Sequence, residues 1–296
     1  MEKTVIIITG PTASGKSALA VDIARRLSTG IISADSRQVY RDIPVSTAAP
    51  TASQLAAVRH HLAGMLCLEE NYSAARFEAD ALRILDGMFR ESDYAVVCGG
   101  SMMYVDALCN GLDPLPDVPA ELRARIHDEW RRYGDAAMRI RLLGLDPEWY
   151  SKVDLFNMKR VVHAVELSLA AGAPYSSLIS GRRAERPFRI LKYCLCPDRA
   201  TLFARIDSRT ERMVADGLED EARRVIGMRH LNSLNTVGLK EMFSYIDGDM
   251  DFRTAVERIK KNTRVYAKKQ LTWYRRDPSV IFKESAEAIK KDLGLL

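Results

Sequence analysis

VIIITGPTASGKS (residues 5–17) decides how this chain folds. Its first half, from Val5 to Thr9, is a short β-branched run without polar alternation, as suits a strand buried on both faces of a parallel sheet. Its second half, Gly10, Pro11, Thr12, Ala13, Ser14, Gly15, Lys16 and Ser17, matches G-x-x-x-x-G-K-[ST] at every fixed position. Glycines let such a loop wrap phosphate groups, and a helix opening at Lys16 aims its amides and positive dipole end at them. Lys16 is then expected to reach terminal phosphate oxygens, and Ser17 to ligate Mg2+. The bland alternative is an incidental glycine turn before a helix.

Outward from this stretch, Leu19, Ala20, Ile23 and Leu27 have helical spacing. GIISADS (30–36) reads as a second strand, residues 73–90 as an amphipathic helix, and YAVVCGG (94–100) as a third buried strand ending in a glycine pair. This rhythm predicts an α/β fold, a P-loop parallel sheet flanked by helices. The rhythm changes at DPLPDVP (113–119), a rigid connector with three prolines in seven residues. From Ala120 to about Ser180 the sequence is helical and basic. RILKYCLC (189–196) then restores a strand, and residues 199–226 and 251–276 return to helix. The expected organisation is a core formed by residues 1–112 and 187–296, interrupted by a small all-helical insertion at 113–186. Inserted subdomains of this kind often close over an active site.

Composition narrows the class. The chain has 296 residues, 47% hydrophobic and 28% charged, the balance of an ordinary globular protein. No run approaches the roughly 18 apolar residues of a membrane span, and the N-terminal apolar run is too short for a secretory signal. The five cysteines, Cys67, Cys98, Cys109, Cys194 and Cys196, are odd in number and lack zinc or redox spacing. They are expected to be reduced thiols of a cytoplasmic protein. Net charge is only +5, but residues 258–276 carry eight basic side chains with Tyr266, Trp273 and Tyr274 among them. Such a helix is either a solvated face or a surface offering phosphates a charge and bases an aromatic ring.

Nucleoside-triphosphate hydrolysis usually needs an acidic residue at a core strand end. The third strand ends in Cys98, Gly99 and Gly100, and Asp198 lies beyond a proline. The carboxylate at a strand end is Asp35, which should face the crevice at the carboxyl edge of the sheet. There it holds metal-bound water, acts on a second substrate, or merely caps the following turn.

In order along the chain, GPTASGKS (10–17), ISADSRQVY (32–40), HHL (60–62), YSAARFEADA (72–81), CGGSMMY (98–104), RIDSRTERMVADGL (205–218), TVGLKEM (236–242) and AKKQLTWYRRD (267–277) resemble the tRNA dimethylallyltransferase family. The resemblance implies transfer of a dimethylallyl group from dimethylallyl diphosphate to the exocyclic amine of the adenosine 3′ to the anticodon. It implies that residues 10–17 hold the donor with Mg2+, that Asp35 is the general base, that Ser101 lies near the reacting atoms, and that Arg209 clamps the departing diphosphate. Arg209 as a surface helix arginine is the alternative. The resemblance further assigns tRNA contact to Asp35, Ser36, Arg37 and Gln38, to Lys159, Arg160 and His163, to Asn235, Thr236, Gly238 and Lys240, and to Lys268, Lys269, Gln270, Trp273 and Arg275. The insertion would clamp the anticodon stem. A monomeric, bacterial-type cytoplasmic enzyme with no membrane partner is expected. His163, Leu239 and Ala49 depart from the family pattern, in segments expected to lie away from the phosphate site. The rival readings are a small-molecule kinase, a free-adenylate prenyltransferase, and a non-catalytic RNA-binding protein.

Overall fold

In the computed structural model, which describes residues 2–181 and 183–296, the chain separates into two compact units. One is Met1–Cys109 with Glu185–Leu296, and the other is Asn110–Ala184.

The first unit is built on a wholly parallel sheet of six strands. They are β1 (Thr4–Thr9), β2 (Ile31–Ser33), β3 (His60–His61), β4 (Tyr94–Cys98), β5 (Arg189–Leu195) and β6 (Val280–Lys283), in the order β3-β2-β4-β1-β5-β6. β1 is central, with Ile8 in register with Cys98 on one side and Tyr193 on the other. Its unbroken apolar run serves both faces. Val5 and Ile7 pack with Phe77, Leu85 and Tyr104, whereas Ile6 and Ile8 pack with Leu19, Ile23 and Leu195. Each such buried isoleucine contributes about 1.5–3 kcal/mol relative to exposure.

Two strands were not legible. β3 has only two residues and β6 only four, with Ile281 and Phe282 exposed, so neither has the length and two-sided burial of a central strand. Both lie at sheet edges, where short strands are the rule.

The principal helices in chain order begin with α1 (Lys16–Arg26), α2 (Ala74–Glu91) and α3 (Met102–Asn110). The second unit holds α4 (Ala120–Leu145), α5 (Pro147–Lys152) and α6 (Met158–Ala171). Gly134 breaks α4 with φ 73° and ψ −173°. Ile126, Met138 and Leu142 of α4 pack on Met158, Val161 and Val165 of α6. Asp146, 1% exposed, caps α5 through Trp149 N at 2.8 Å and accepts from Ser176 N at 2.6 Å. The connector before α4 is free of regular structure, as three prolines dictate.

The first unit resumes with α7 (Arg199–Ala215), α8 (Leu218–Val225), α9 (Leu239–Ile246), α10 (Phe252–Tyr274) and α11 (Ala286–Asp292). The helix expected over 199–226 is interrupted at Gly217, where φ is 93°. The end of α7, with α8, α9 and the start of α10, encloses a separate apolar cluster against Val39, Tyr40 and Ile43. That cluster anchors the segment following β2. No helix among the described residues is long and apolar enough to cross a membrane. All five cysteines are free thiols.

Candidate active site

The loop joining β1 to α1 is held open by its glycines. Gly10 has φ 145°, and a Cβ there would fall 2.4 Å from Leu195 O. Gly15, at φ 97°, precedes α1 without any side-chain cap, so the first amides of the helix stay available to a ligand. Ser14 Oγ is buried without a hydrogen-bond partner among the described residues, a donor left over in the middle of the loop. Lys16 Nζ donates to Pro11 O at 3.2 Å. Burial pushes its pKa below the ordinary lysine value; the Arg209 charge adds to the effect and Asp35 opposes it.

Asp35 follows β2. Its Oδ1 accepts from Arg37 N at 2.9 Å and Gln38 N at 3.3 Å, so it does cap the turn. Its second oxygen has no hydrogen-bond partner among the described residues and stays available for chemistry. Arg209 on α7 donates to Thr12 Oγ1 at 3.0 Å and Thr47 O at 3.4 Å. Burial lowers its pKa, with Asp35 opposing. Arg209 is therefore a half-buried arginine against the loop and not a surface one.

Three cavities share walls along the carboxyl edge of the sheet. One of about 750 Å³ is walled by Ser14, Gly15, Lys16, Ser17, Arg205, Arg209 and Arg212. A narrow one of about 70 Å³ is walled by Lys16, Ser17, Asp35, Cys98, Arg209 and Gln270. A third, of about 360 Å³, is walled by Thr12, Asp35, Arg209, Met213, Ile259 and Tyr266. Arg209 lines all three, and Asp35 lines the two inner ones. A predominantly basic chamber, in which Asp22, Glu284 and Glu287 also stand, thus leads past Asp35 into a mixed polar and apolar chamber.

Two expectations change here. Ser101 is 8% exposed and lines none of the three cavities. Its Oγ accepts from Ser36 N at 2.7 Å, so it braces the residue after Asp35. Thr12 also differs from the expected phosphate ligand, because its amide is spent on Gln270 Oε1 at 2.8 Å. Sequence reasoning missed Arg205, whose Nη1 donates to Ser14 O at 2.8 Å. The signal was present, since Arg205 precedes Arg209 by four residues and so shares its helix face.

Magnesium fits the donor set. Ser17, exposed at the chamber wall, offers a hydroxyl oxygen. Hard oxygen donors few in number suit Mg2+, which keeps several waters and takes its remaining ligands from phosphate. Among the described residues no cluster of three or more His, Cys, Asp or Glu forms a full protein cage.

The family model described as IPP transferase matches residues 38–277. The chain belongs to the IPP transferase family. It is 46% identical over 277 residues to tRNA dimethylallyltransferase 2 of Parabacteroides distasonis, covering 94% of this chain and 93% of the relative. The crystal structure of the tRNA isopentenylpyrophosphate transferase from Bacillus halodurans matches with a TM-score of 0.71 and 30% identity, over 99% of this chain and 96% of that one. A eukaryotic dimethylallyltransferase acting on tRNA matches with a TM-score of 0.78 and 25% identity, over 92% of this chain and 69% of that one.

For an IPP transferase, the residues expected at a tRNA surface divide into exposed and internal groups. Lys268, Lys269 and Arg275 on or beside α10 are exposed, as are Asn235 and Lys240. Thr236 is half-buried at the 360 Å³ cavity. In the second unit Lys159, Arg160 and His163 are exposed on α6, and Phe156, just before it, is 90% exposed with the Arg139 guanidinium 5.8 Å from its ring centre. Sequence reasoning passed over Phe156, since one aromatic in a loop carries no pattern.

Others turn inward. Gln270 is 1% exposed and Gly238 is buried, its amide donating to Glu241 Oε2 at 2.8 Å. Arg37 donates to Asn232 O at 2.7 Å and Gln38 Nε2 to Ala48 O at 2.9 Å. Trp273 Nε1 donates to Asp106 Oδ2 at 2.8 Å, and its ring packs on the core. Within the basic run, Lys260 pairs with Glu211 and Glu257, and Arg264 with Asp207. The departures from the family pattern also sort differently. Leu239 is fully buried at the start of α9, whereas Ala49 lines the 750 Å³ cavity beside Lys16. Ala49 therefore borders the loop at Gly10–Ser17, contrary to expectation. His163 is exposed, and partial burial of its ring lowers its pKa, with Glu166 opposing.

Proposed function

We propose that this chain transfers a dimethylallyl group from dimethylallyl diphosphate to the exocyclic amine of the adenosine 3′ to the anticodon of tRNA. The observation that carries the reading is Arg209, which lines both the predominantly basic chamber at the phosphate loop and the chamber holding Asp35. Donor diphosphate would lie against Gly15, Lys16 and Ser17, with Arg205 and Arg209 over it. The prenyl carbon would point past Asp35 toward Met213, Ile259 and Tyr266.

The adenine nitrogen attacks the first prenyl carbon, and the carbon–oxygen bond to diphosphate breaks. The electron pair leaves on the diphosphate oxygen, where Lys16 and Arg209 oppose the developing charge. The nitrogen's proton goes to the unpartnered oxygen of Asp35. Ser17 would hold Mg2+, which would supply charge neutralisation for the diphosphate. No phosphoanhydride is cleaved, which agrees with β4 ending in Cys98, Gly99 and Gly100 without a carboxylate.

The tRNA would be gripped by Lys268, Lys269 and Arg275 of the first unit and by Lys159 and Arg160 of the second. These are exposed cations suited to phosphodiester contact. The target base must leave its stack to meet the donor. The family resemblance carries with it a cytoplasmic monomer. The test mixes purified protein, magnesium and labelled dimethylallyl diphosphate with unmodified tRNA or with free AMP. Label in tRNA alone is expected. Label in AMP would make the chain a nucleotide prenyltransferase, and ATP consumption with a metabolite panel would make it a kinase.

A further inference from the structure

Gln270 lies on α10 beside exposed Lys269, yet its own side chain is 1% exposed. Its Oε1 accepts from Thr12 N at 2.8 Å, and its Nε2 donates to Gly100 O at 2.9 Å. A primary amide is the one neutral side chain that offers an acceptor and a donor on one rigid plane at this reach. Room for it exists because residue 100 is glycine: a Cβ there would lie 2.3 Å from Nε2. One side chain thus joins α10, the phosphate loop and the loop after β4.

The bond at Gly100 has a further consequence. The next residue is Ser101, whose hydroxyl holds Ser36 N at 2.7 Å, and Ser36 directly follows Asp35. A continuous path therefore runs from Thr12 through Gln270, Gly100, Ser101 and Ser36 to the carboxylate. Its two ends are the loop that would carry the diphosphate and the group that would take the proton.

We propose that Gln270 is a positioning residue for prenyl transfer, setting the distance between the phosphate loop and Asp35 through Thr12 and Gly100. This rests on the functional reading given above. Displacement of reacting groups by about 1 Å costs on the order of 10²-fold in rate. Because the Thr12 amide already serves Gln270, removing the glutamine takes no Thr12 amide contact from the donor, although Gln270 also walls the narrow cavity beside Lys16 and Asp35. The loss should therefore fall on turnover, not on substrate binding.

The experiment compares wild type with Gln270→Met, which keeps the unbranched volume and loses both bonds, and with Gly100→Ala, which strikes the same amide from the other side. Donor and tRNA are varied separately in steady state, and exchange of the Thr12 amide is followed by NMR. Both variants are expected to lower kcat by about 10–100-fold, with each KM within about threefold of wild type. Thr12 exchange should quicken in Gln270→Met. A kcat within about threefold of wild type, or a loss confined to KM, overturns the proposal. If one variant lacks a cooperative melt, the other decides by the same criteria. Thr12 exchange does not depend on the reaction. Unchanged protection sinks the latch even in an active enzyme, whereas a wild type that prenylates no tRNA while Thr12 protection falls in the variant refutes the functional reading instead.

Discussion

At the residue scale, Asp35 divides its two oxygens between structure and chemistry. One caps the turn through Arg37 N and Gln38 N, so alanine at this position would disturb the turn as well as the carboxylate. Asp35→Asn keeps an acceptor for those amides and removes the base. It is expected to lower kcat by about 10²–10⁴-fold while calorimetry shows donor affinity preserved. Turnover near wild type would remove Asp35 from the chemistry. Lys16 supplies a pH test. Its pKa in the free protein is lowered by burial from the ordinary 10.5, and a bound diphosphate should raise it again. Between the lowered value and 10.5, the unfolded chain holds this proton and the folded one does not. The residue's contribution to folding stability therefore rises with pH across that window. Donor binding in the same window should take up a proton. Calorimetry at alkaline pH in buffers of different ionisation enthalpy reads that uptake, and Lys16→Ala should abolish it. Equal proton uptake by the variant would assign the proton elsewhere.

At the element scale, the phosphate loop depends on close approach of two backbones. Gly10 has φ 145° and no room for a Cβ against Leu195 O, so Gly10→Ala must move either the loop or β5. A loss of about 1–3 kcal/mol in denaturant unfolding is expected, together with weaker donor binding. Unchanged stability and affinity would mean that the loop adapts freely. α10 shows what periodicity conveys and what it leaves open. Its buried residues Ala255, Ile259, Ala267, Gln270 and Tyr274 lie along one side, and Lys268 and Lys269 lie off it. A glutamine one position past two lysines reads as part of the basic surface. Only the loops packed against that helix face show that its amide is committed inward.

At the scale of the whole molecule, tRNA affinity should fall steeply with salt, because exposed cations displace counterions from phosphodiesters. Replacing Lys268 and Lys269 together by alanine is expected to reduce the slope of log K against log salt by roughly 1–2. An unaltered slope, measured by filter binding, would move the RNA surface away from α10. The contrast with Lys260 and Arg264 makes the test specific, since those two basic residues already have carboxylate partners.

The central strands, the phosphate loop and the helical insertion were legible from the sequence for one reason. Each is written in local chemistry: an unbroken β-branched run at residues 5–8, glycine with lysine and serine at fixed spacing, and prolines that forbid regular structure at 113–119. Asp35 was legible too, because the end of a strand in a parallel sheet points to the crevice. Contacts between residues far apart in sequence were not. Thr12 and Gln270 are 258 positions apart, and Ser36 and Ser101 are 65 apart. No periodicity encodes such pairs, so Gln270 read as part of the RNA surface, and the bond from Ser36 N to Ser101 was not foreseen. The edge strands β3 and β6 lay beyond reach for the same cause: segments of two and four residues become strands only when a neighbouring strand offers its unpaired backbone groups.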